Sequence, residues 1–114
     1  MRVCVPSKSP GGPRSEIAES FEESDLLDIY DQGPDGTFVL TAQIRNCGGM
    51  CRDDAETVIR RGANAVIVKS LRPGIRFRLE RAGVKVLGPV DGLAETSLMA
   101  LAAKGLRELP LDKK

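Results

Sequence analysis

An α/β fold built on one mixed five-stranded sheet is the architecture this sequence predicts, and three observations predict it. The chain opens on a short β-branched run, RVCV, stopped by a proline. The turn signal DQGPDG, residues 31–36, lies between two further strand-like runs. From residue 53 onward the pattern changes to helix and strand in alternation, with AVIV and VKVL as short apolar strands of the kind buried on both faces of a sheet.

Taken in order, residues 2–6 read as a buried strand. Residues 7–14, SKSPGGPR, hold the densest Gly/Pro/Ser cluster and read as a loop. Residues 15–23 fit either a helical turn or a continuing loop with an acidic surface. Residues 26–30 and 37–44 form an antiparallel ribbon around the turn. A helix is expected over 53–61, where Asp53 can cap with Glu56 three residues on, and Arg60 and Arg61 precede Gly62. Ala55, Val58 and Ile59 line its buried face. Residues 65–68 form the fourth strand. Pro73 opens a second helix that Gly83 closes, and residues 84–87 form the fifth strand. Asp91 is expected to cap a last helix running to about Lys104, with Leu93, Ala94, Leu98, Leu101 and Ala102 as its apolar stripe. Residues 1–105 thus make a single domain, and 106–114 a short tail with little to pack.

Right-handed crossovers require the last two strands to lie parallel with helices on the sheet faces. The simplest closed arrangement puts the first strand in the centre, the meander on one side and the α/β half on the other. Three connections then reach one edge: residues 6–25, 43–52 and 69–72. Open sheets bind ligands in such a crevice.

Composition narrows the function. At 114 residues, 41% apolar and 29% charged, the chain has the balance of a globular domain. Its net charge of +1 argues against a dedicated nucleic-acid surface, though not against a local basic patch. No apolar run reaches the length of a membrane span, and the first residues lack a signal-peptide core, so a cytoplasmic location is expected. Three cysteines fit a reducing compartment better than a disulfide framework. With no histidine, Ser-His and Cys-His catalysis and His-containing zinc sites are excluded.

Two of the cysteines frame RNCGGMC, residues 45–51. Cys47 and Cys51 supply two thiolates, too few alone for a closed tetrahedral site. Cys51 precedes a helix start and adjoins Arg52, and both features favour the thiolate. Gly48 and Gly49 allow a ligand to approach the backbone closely, or else form a plain turn. Arg45, Arg52, Lys69 and Arg72 flank the same edge, with Arg76 one helical turn beyond. Together they suit a bulky anion, or else a solvated arginine-rich face, to which Arg78 and Arg81 are assigned. Cys4, inside the first strand, reads as a small buried apolar residue. Glu16, Glu19, Glu22, Glu23 and Asp25 crowd one segment and read as solvated surface. No nucleophile–base pair or catalytic metal set can be assembled, so an enzyme is not expected.

Along its length the chain resembles the iron–molybdenum cofactor biosynthesis domain of nitrogenase accessory proteins, NifX-like and like the C-terminal domain of NifB. The matching positions are Pro6-Ser7 after the first strand, Glu19-Ser20-Phe21, Asp31 at the end of the second strand and Gly48-Gly49 before the first helix. Gly62 before Ala65-Val66-Ile67, Pro73, and Gly83-Val84-Lys85-Val86 complete the set. The resemblance implies a ribonuclease-H-like, three-layer α/β fold. It also implies a carrier of an anionic iron–sulfur-based cluster rather than a catalyst. Members commonly show Glu-His-Phe-Gly, with the histidine expected to ligate; here Ser20 and Glu22 stand in the second and fourth places.

The expected function is therefore a small non-enzymatic protein that carries or senses an iron–sulfur or related metallocluster. Cys47 and Cys51 ligate the metal, Gly48 and Gly49 admit it, and Arg52, Arg45 and Ser20 complete the site. Its partner is a cluster donor or acceptor protein, not nucleic acid or membrane, and a homodimer is compatible. The alternative is a cofactor-free interaction or regulatory domain, with the cysteines inert or redox-sensing.

Overall fold

The structure, a computed structural model, describes residues 1–21, 24–45, 54–90, 92–103 and 105–106. Within them the chain forms β1 (Arg2–Ser7), β2 (Leu26–Gln32), β3 (Phe38–Arg45), α1 (Asp54–Arg60), β4 (Ala65–Ile67), α2 (Pro73–Arg81), β5 (Lys85–Leu87) and α3 (Ala94–Ala102). One five-stranded sheet results, in the order β3-β2-β1-β4-β5. β1 is antiparallel to β2 and parallel to β4, and β4 is parallel to β5. The central place of β1 follows from its composition. Val3 to Ser7 are all buried, as a strand covered on both faces requires.

Two apolar layers cover the sheet. On one face Cys4, Ile29 and Val66 pack with Val58 of α1 and Leu79 of α2. On the other, Val3, Val5, Tyr30 and Ile67 meet Ala94 and Leu98 of α3. Each large side chain so buried stabilises the fold by roughly 1.5–3 kcal/mol. Leu106 packs against the α3-side layer as well. Cys4 is fully buried in mid-strand, as its neighbours Val3 and Val5 led one to expect.

β3 departs from simple alternation. Phe38, Leu40, Ala42 and Ile44 alternate with exposed residues, which by itself would place all four on one face. The pairing shifts between Ile29 and Tyr30: Ala42 lies opposite Ile29 but Leu40 opposite Tyr30, leaving Thr41 as the extra residue. Phe38 and Leu40 therefore join the α3-side core, and Ala42 and Ile44 the opposite one. Thr41 Oγ1 donates to the Ile29 carbonyl at 3.3 Å, anchoring the bulge. Period-2 reading of the sequence has no means of seeing this inserted residue.

The helix ends are mostly as the sequence implies. Pro73 stands at the start of α2, and Gly83 turns the chain out of it at φ +86°. Glu56 pairs with Arg60 at 2.8 Å and Arg78 at 3.7 Å; the expected cap, Asp53, lies outside the described residues. α3 differs from expectation. It begins at Ala94, with Leu93 in the cap position and no side-chain cap. The first loop caps it instead: Ala94 N–H donates to the Ser15 carbonyl at 2.9 Å and Glu95 N–H to that of Pro13 at 2.8 Å. The buried stripe is narrower than expected, since Leu93 and Ala102 are exposed while Ser97 is buried. Asp91 and Lys104 lie outside the described residues.

Candidate functional site

β1, β3, β4 and β5 all run the same way, so their C-terminal ends share one edge. Residues 8–25, 46–53 and 68–72 connect from that edge, the gathering of loops the sequence implied.

The first half of the opening loop is clamped onto the α3-side face of the hairpin. Asp28 is fully buried inside the apolar run of β2. Its Oδ2 accepts the Gly12 N–H at 2.7 Å and its Oδ1 accepts from Gln43 Nε2 at 3.1 Å. Gln43 Nε2 also reaches the Pro10 carbonyl at 3.4 Å. Gly11, at φ +79°, lies so close that a Cβ there would stand 2.5 Å from Leu26 Cδ1 and 2.6 Å from Gln43 Nε2. Asp25 Oδ2 takes the Ser9 N–H at 2.9 Å, drawing the loop's two ends together.

The second half runs along the edge itself. Ala18 N–H donates to the Pro6 carbonyl at 2.9 Å. Glu19-Ser20-Phe21 is then pinned to the connection after β4 on three counts. Phe21 N–H donates to the Ser70 carbonyl at 2.9 Å. Ser70 Oγ donates to the Glu19 carbonyl at 2.8 Å, and Lys69 Nζ pairs with Glu19 at 3.1 Å. The Phe21 ring, fully buried, drives this turn into the α1/α2-side core. Between these anchors the Ser20 hydroxyl is buried and has no hydrogen-bond partner among the described residues. A buried hydroxyl left unpaired costs on the order of 1–3 kcal/mol, so its placement calls for a reason beyond packing.

The expected site residues divide as follows. Ser20 stands at the edge beside Lys69 and Ser70. Arg45 is exposed at the end of β3, two strands from β1 and so roughly 10 Å along the edge. Lys69 is engaged by Glu19, and Arg72 is exposed at the cap of α2. Arg76 is largely covered, its side chain 12% exposed and paired with Glu80 at 3.0 Å. Cys47, Gly48, Gly49, Cys51 and Arg52 lie outside the described residues. Cys4 sits in the core rather than at the edge. Among the described residues no group of three or more His, Cys, Asp or Glu is placed to hold a metal ion. No described helix is long and apolar enough to cross a membrane. Sequence reading passed over Asp28, whose signal was a lone acid inside the apolar run LLDIY.

Helices on both faces and connections gathered at one edge of the sheet define a three-layer α/β domain. Residues 1–104 match the family described as dinitrogenase iron–molybdenum cofactor, and the chain belongs to that family. Solved structures share the fold. The apo form of the orange protein from Desulfovibrio gigas superposes with a TM-score of 0.80 at 16% identity, covering 95% of this chain and 92% of that one. A putative NifB protein from Thermotoga gives 0.75 at 22% identity, covering 99% and 97%. A putative dinitrogenase from Methanocaldococcus jannaschii gives 0.70 at 12% identity, covering 96% and 94%. No curated protein matches the chain. The family and the α/β fold read from the sequence are thus confirmed.

Proposed function

We propose that this chain is a small non-enzymatic binding protein that carries or senses an anionic iron–sulfur-type metallocluster at the C-terminal edge of its sheet. The observation that supports this most is Ser20. Its hydroxyl is buried, unpartnered and pinned beside Lys69 and Ser70, in the Glu19-Ser20-Phe21 turn that the family resemblance marks as facing a ligand. The exposed Arg45 ends β3 at that same edge, and the next residues in the chain are those of the cysteine segment.

In this reading Cys47 and Cys51 ligate iron, for which thiolates are good donors. Gly48 and Gly49 let the cluster lie against the backbone. Arg52 and Arg45 offset its negative charge, and Ser20 supplies a hydroxyl where relatives use a histidine. Two protein thiolates leave iron positions open, so the cluster is cargo: transferable to an acceptor protein, or bridged between two copies of the chain. Membership of the dinitrogenase iron–molybdenum cofactor family is in keeping with such a role.

Anaerobic reconstitution with iron and sulfide tests it. Stoichiometric iron with charge-transfer absorbance is expected in the wild type, and its loss in Cys47→Ser and Cys51→Ser, with thermal unfolding of both variants unchanged. A colourless protein would overturn the reading. If its thiols were then lost and regained reversibly with oxidant and reductant, a cofactor-free redox-sensing domain would replace it.

A further inference from the structure

α2 presents to solvent a surface that neither the sheet edge nor the core accounts for. Residues 72–81, RPGIRFRLER, carry four arginines and no lysine. Of the helix proper only Leu79 is buried. Gly74, Phe77, Arg78 and Arg81 fall at i, i+3, i+4 and i+7, one face of a helix, and all four are exposed. Phe77 is 61% exposed, an unusual setting for a phenyl ring that the core could have used. The Arg81 guanidinium carbon stands over it, 5.5 Å from the ring centre. Around Gly74 there is open space, which leaves a flat approach on one side of the ring.

Charge is segregated to match. Residues 54–82 hold seven Lys and Arg against three Asp and Glu, whereas the rest of the chain holds ten against thirteen. The near-neutral total therefore conceals a basic helical side. Arg60 and Arg78 share Glu56 and Arg76 takes Glu80, and by count basic residues stay in excess of acids along this stretch.

We infer that the outward face of α2 docks an acidic surface of a partner protein, with Phe77 as apolar anchor and Arg81 and Arg78 as carboxylate ligands. Arginine's planar fork suits carboxylates, and an arginine stacked on an aromatic ring is held ready for one. Arg and aromatic residues are also those that dominate protein–protein hot spots. A nucleic acid fits less well, because phosphate contacts come from basic and polar groups and give no use to an exposed phenyl ring such as Phe77. This inference does not depend on the cluster reading.

Amide chemical shifts of the intact chain, titrated with a short synthetic peptide carrying glutamates around a single leucine, test it against a short duplex DNA. Peptide-induced shifts confined to residues 73–82 are expected. Phe77→Ser and Arg81→Glu should each weaken binding about tenfold, while their thermal unfolding stays that of the wild type, both side chains being exposed. Cys47→Ser should bind the peptide as the wild type does, whatever its iron content. No binding, shifts elsewhere on the surface, or tighter binding of the DNA would each overturn the inference.

Discussion

Asp28 is a carboxylate with no solvent exposure, and its removal should release the loop that forms one wall of the candidate site. In Asp28→Ala the Gly12 N–H, now 2.7 Å from Oδ2 in a buried setting, loses its acceptor. Gln43 Nε2 loses a second bond of 3.1 Å, worth less because Gln43 is exposed. Bonds to a charged acceptor contribute roughly 1.5–3 kcal/mol each. Against this stands the relief of no longer desolvating a carboxylate, several kcal/mol in the general case. The two bonds and the abandoned buried donor outweigh it, and the net loss should be about 2–4 kcal/mol. For a domain of this size that lowers the unfolding midpoint by roughly 8–16 °C. Asp28→Asn should cost far less, about 1 kcal/mol. Its Oδ1 can accept from Gly12 while its amide donates to a flipped Gln43 side chain. Urea unfolding of the three proteins, with the slope checked for constancy, decides the matter. An alanine variant as stable as the wild type, or an asparagine variant as damaged as the alanine one, would refute the clamp.

Tyr30 carries a buried hydroxyl without a hydrogen-bond partner among the described residues. Burial first, then the neighbouring Asp28 and Glu95 charges, push its pKa well above the ordinary phenol value. Tyr30→Phe should therefore be neutral or stabilising by up to about 1 kcal/mol. In the wild type the folded pKa is raised, so stability is intact below about pH 10 and falls as pH rises beyond it; the phenylalanine variant should lose that part of the alkaline decline in a pH series of melts. Gly88→Ala should cost about 3 kcal/mol or more. The residue sits at φ +143°, and a Cβ would press on the Val68 carbonyl oxygen, which already accepts the Val90 N–H at 3.1 Å. Asp31 is held below the usual carboxylate range, chiefly by its hydrogen bond from Arg2. Its contribution is present at neutral pH and lost as pH falls through the folded-state value, so Asp31→Asn should flatten the acid limb of the stability profile.

Much of this architecture is legible in the chain because it rests on local chemistry. The proline after RVCV, the DQGPDG turn and the short runs AVIV and VKVL mark the strands, the crossover rule makes the last two parallel, and the apolar run of β1 suits the centre. What escaped depends on contacts distant in sequence. The extra residue at Thr41 is defined only by its pairing partner across the hairpin. α3 is capped by carbonyls of Ser15 and Pro13, some eighty residues upstream, so no cap residue near its own start could announce it. Asp28 was visible as an acid among apolar neighbours, yet its partners Gly12 and Gln43 come from two other segments. At the candidate site, the meeting of three connections followed from topology. The pinning of the Ser20 turn did not, because it rests on Lys69 and Ser70, about fifty residues away in the chain.

In the proposed function the edge beside Ser20 and Arg45 would hold an iron–sulfur cargo through Cys47 and Cys51. Iron and sulfide stoichiometry after anaerobic reconstitution, measured on the wild type, Cys47→Ser and Ser20→Ala in parallel, tests it most directly. A coloured wild-type protein with stoichiometric iron is expected, with none in the cysteine variant and a cluster of altered lability or spectrum in Ser20→Ala. Iron retained in full by Cys47→Ser, or absent from the wild type, would contradict it.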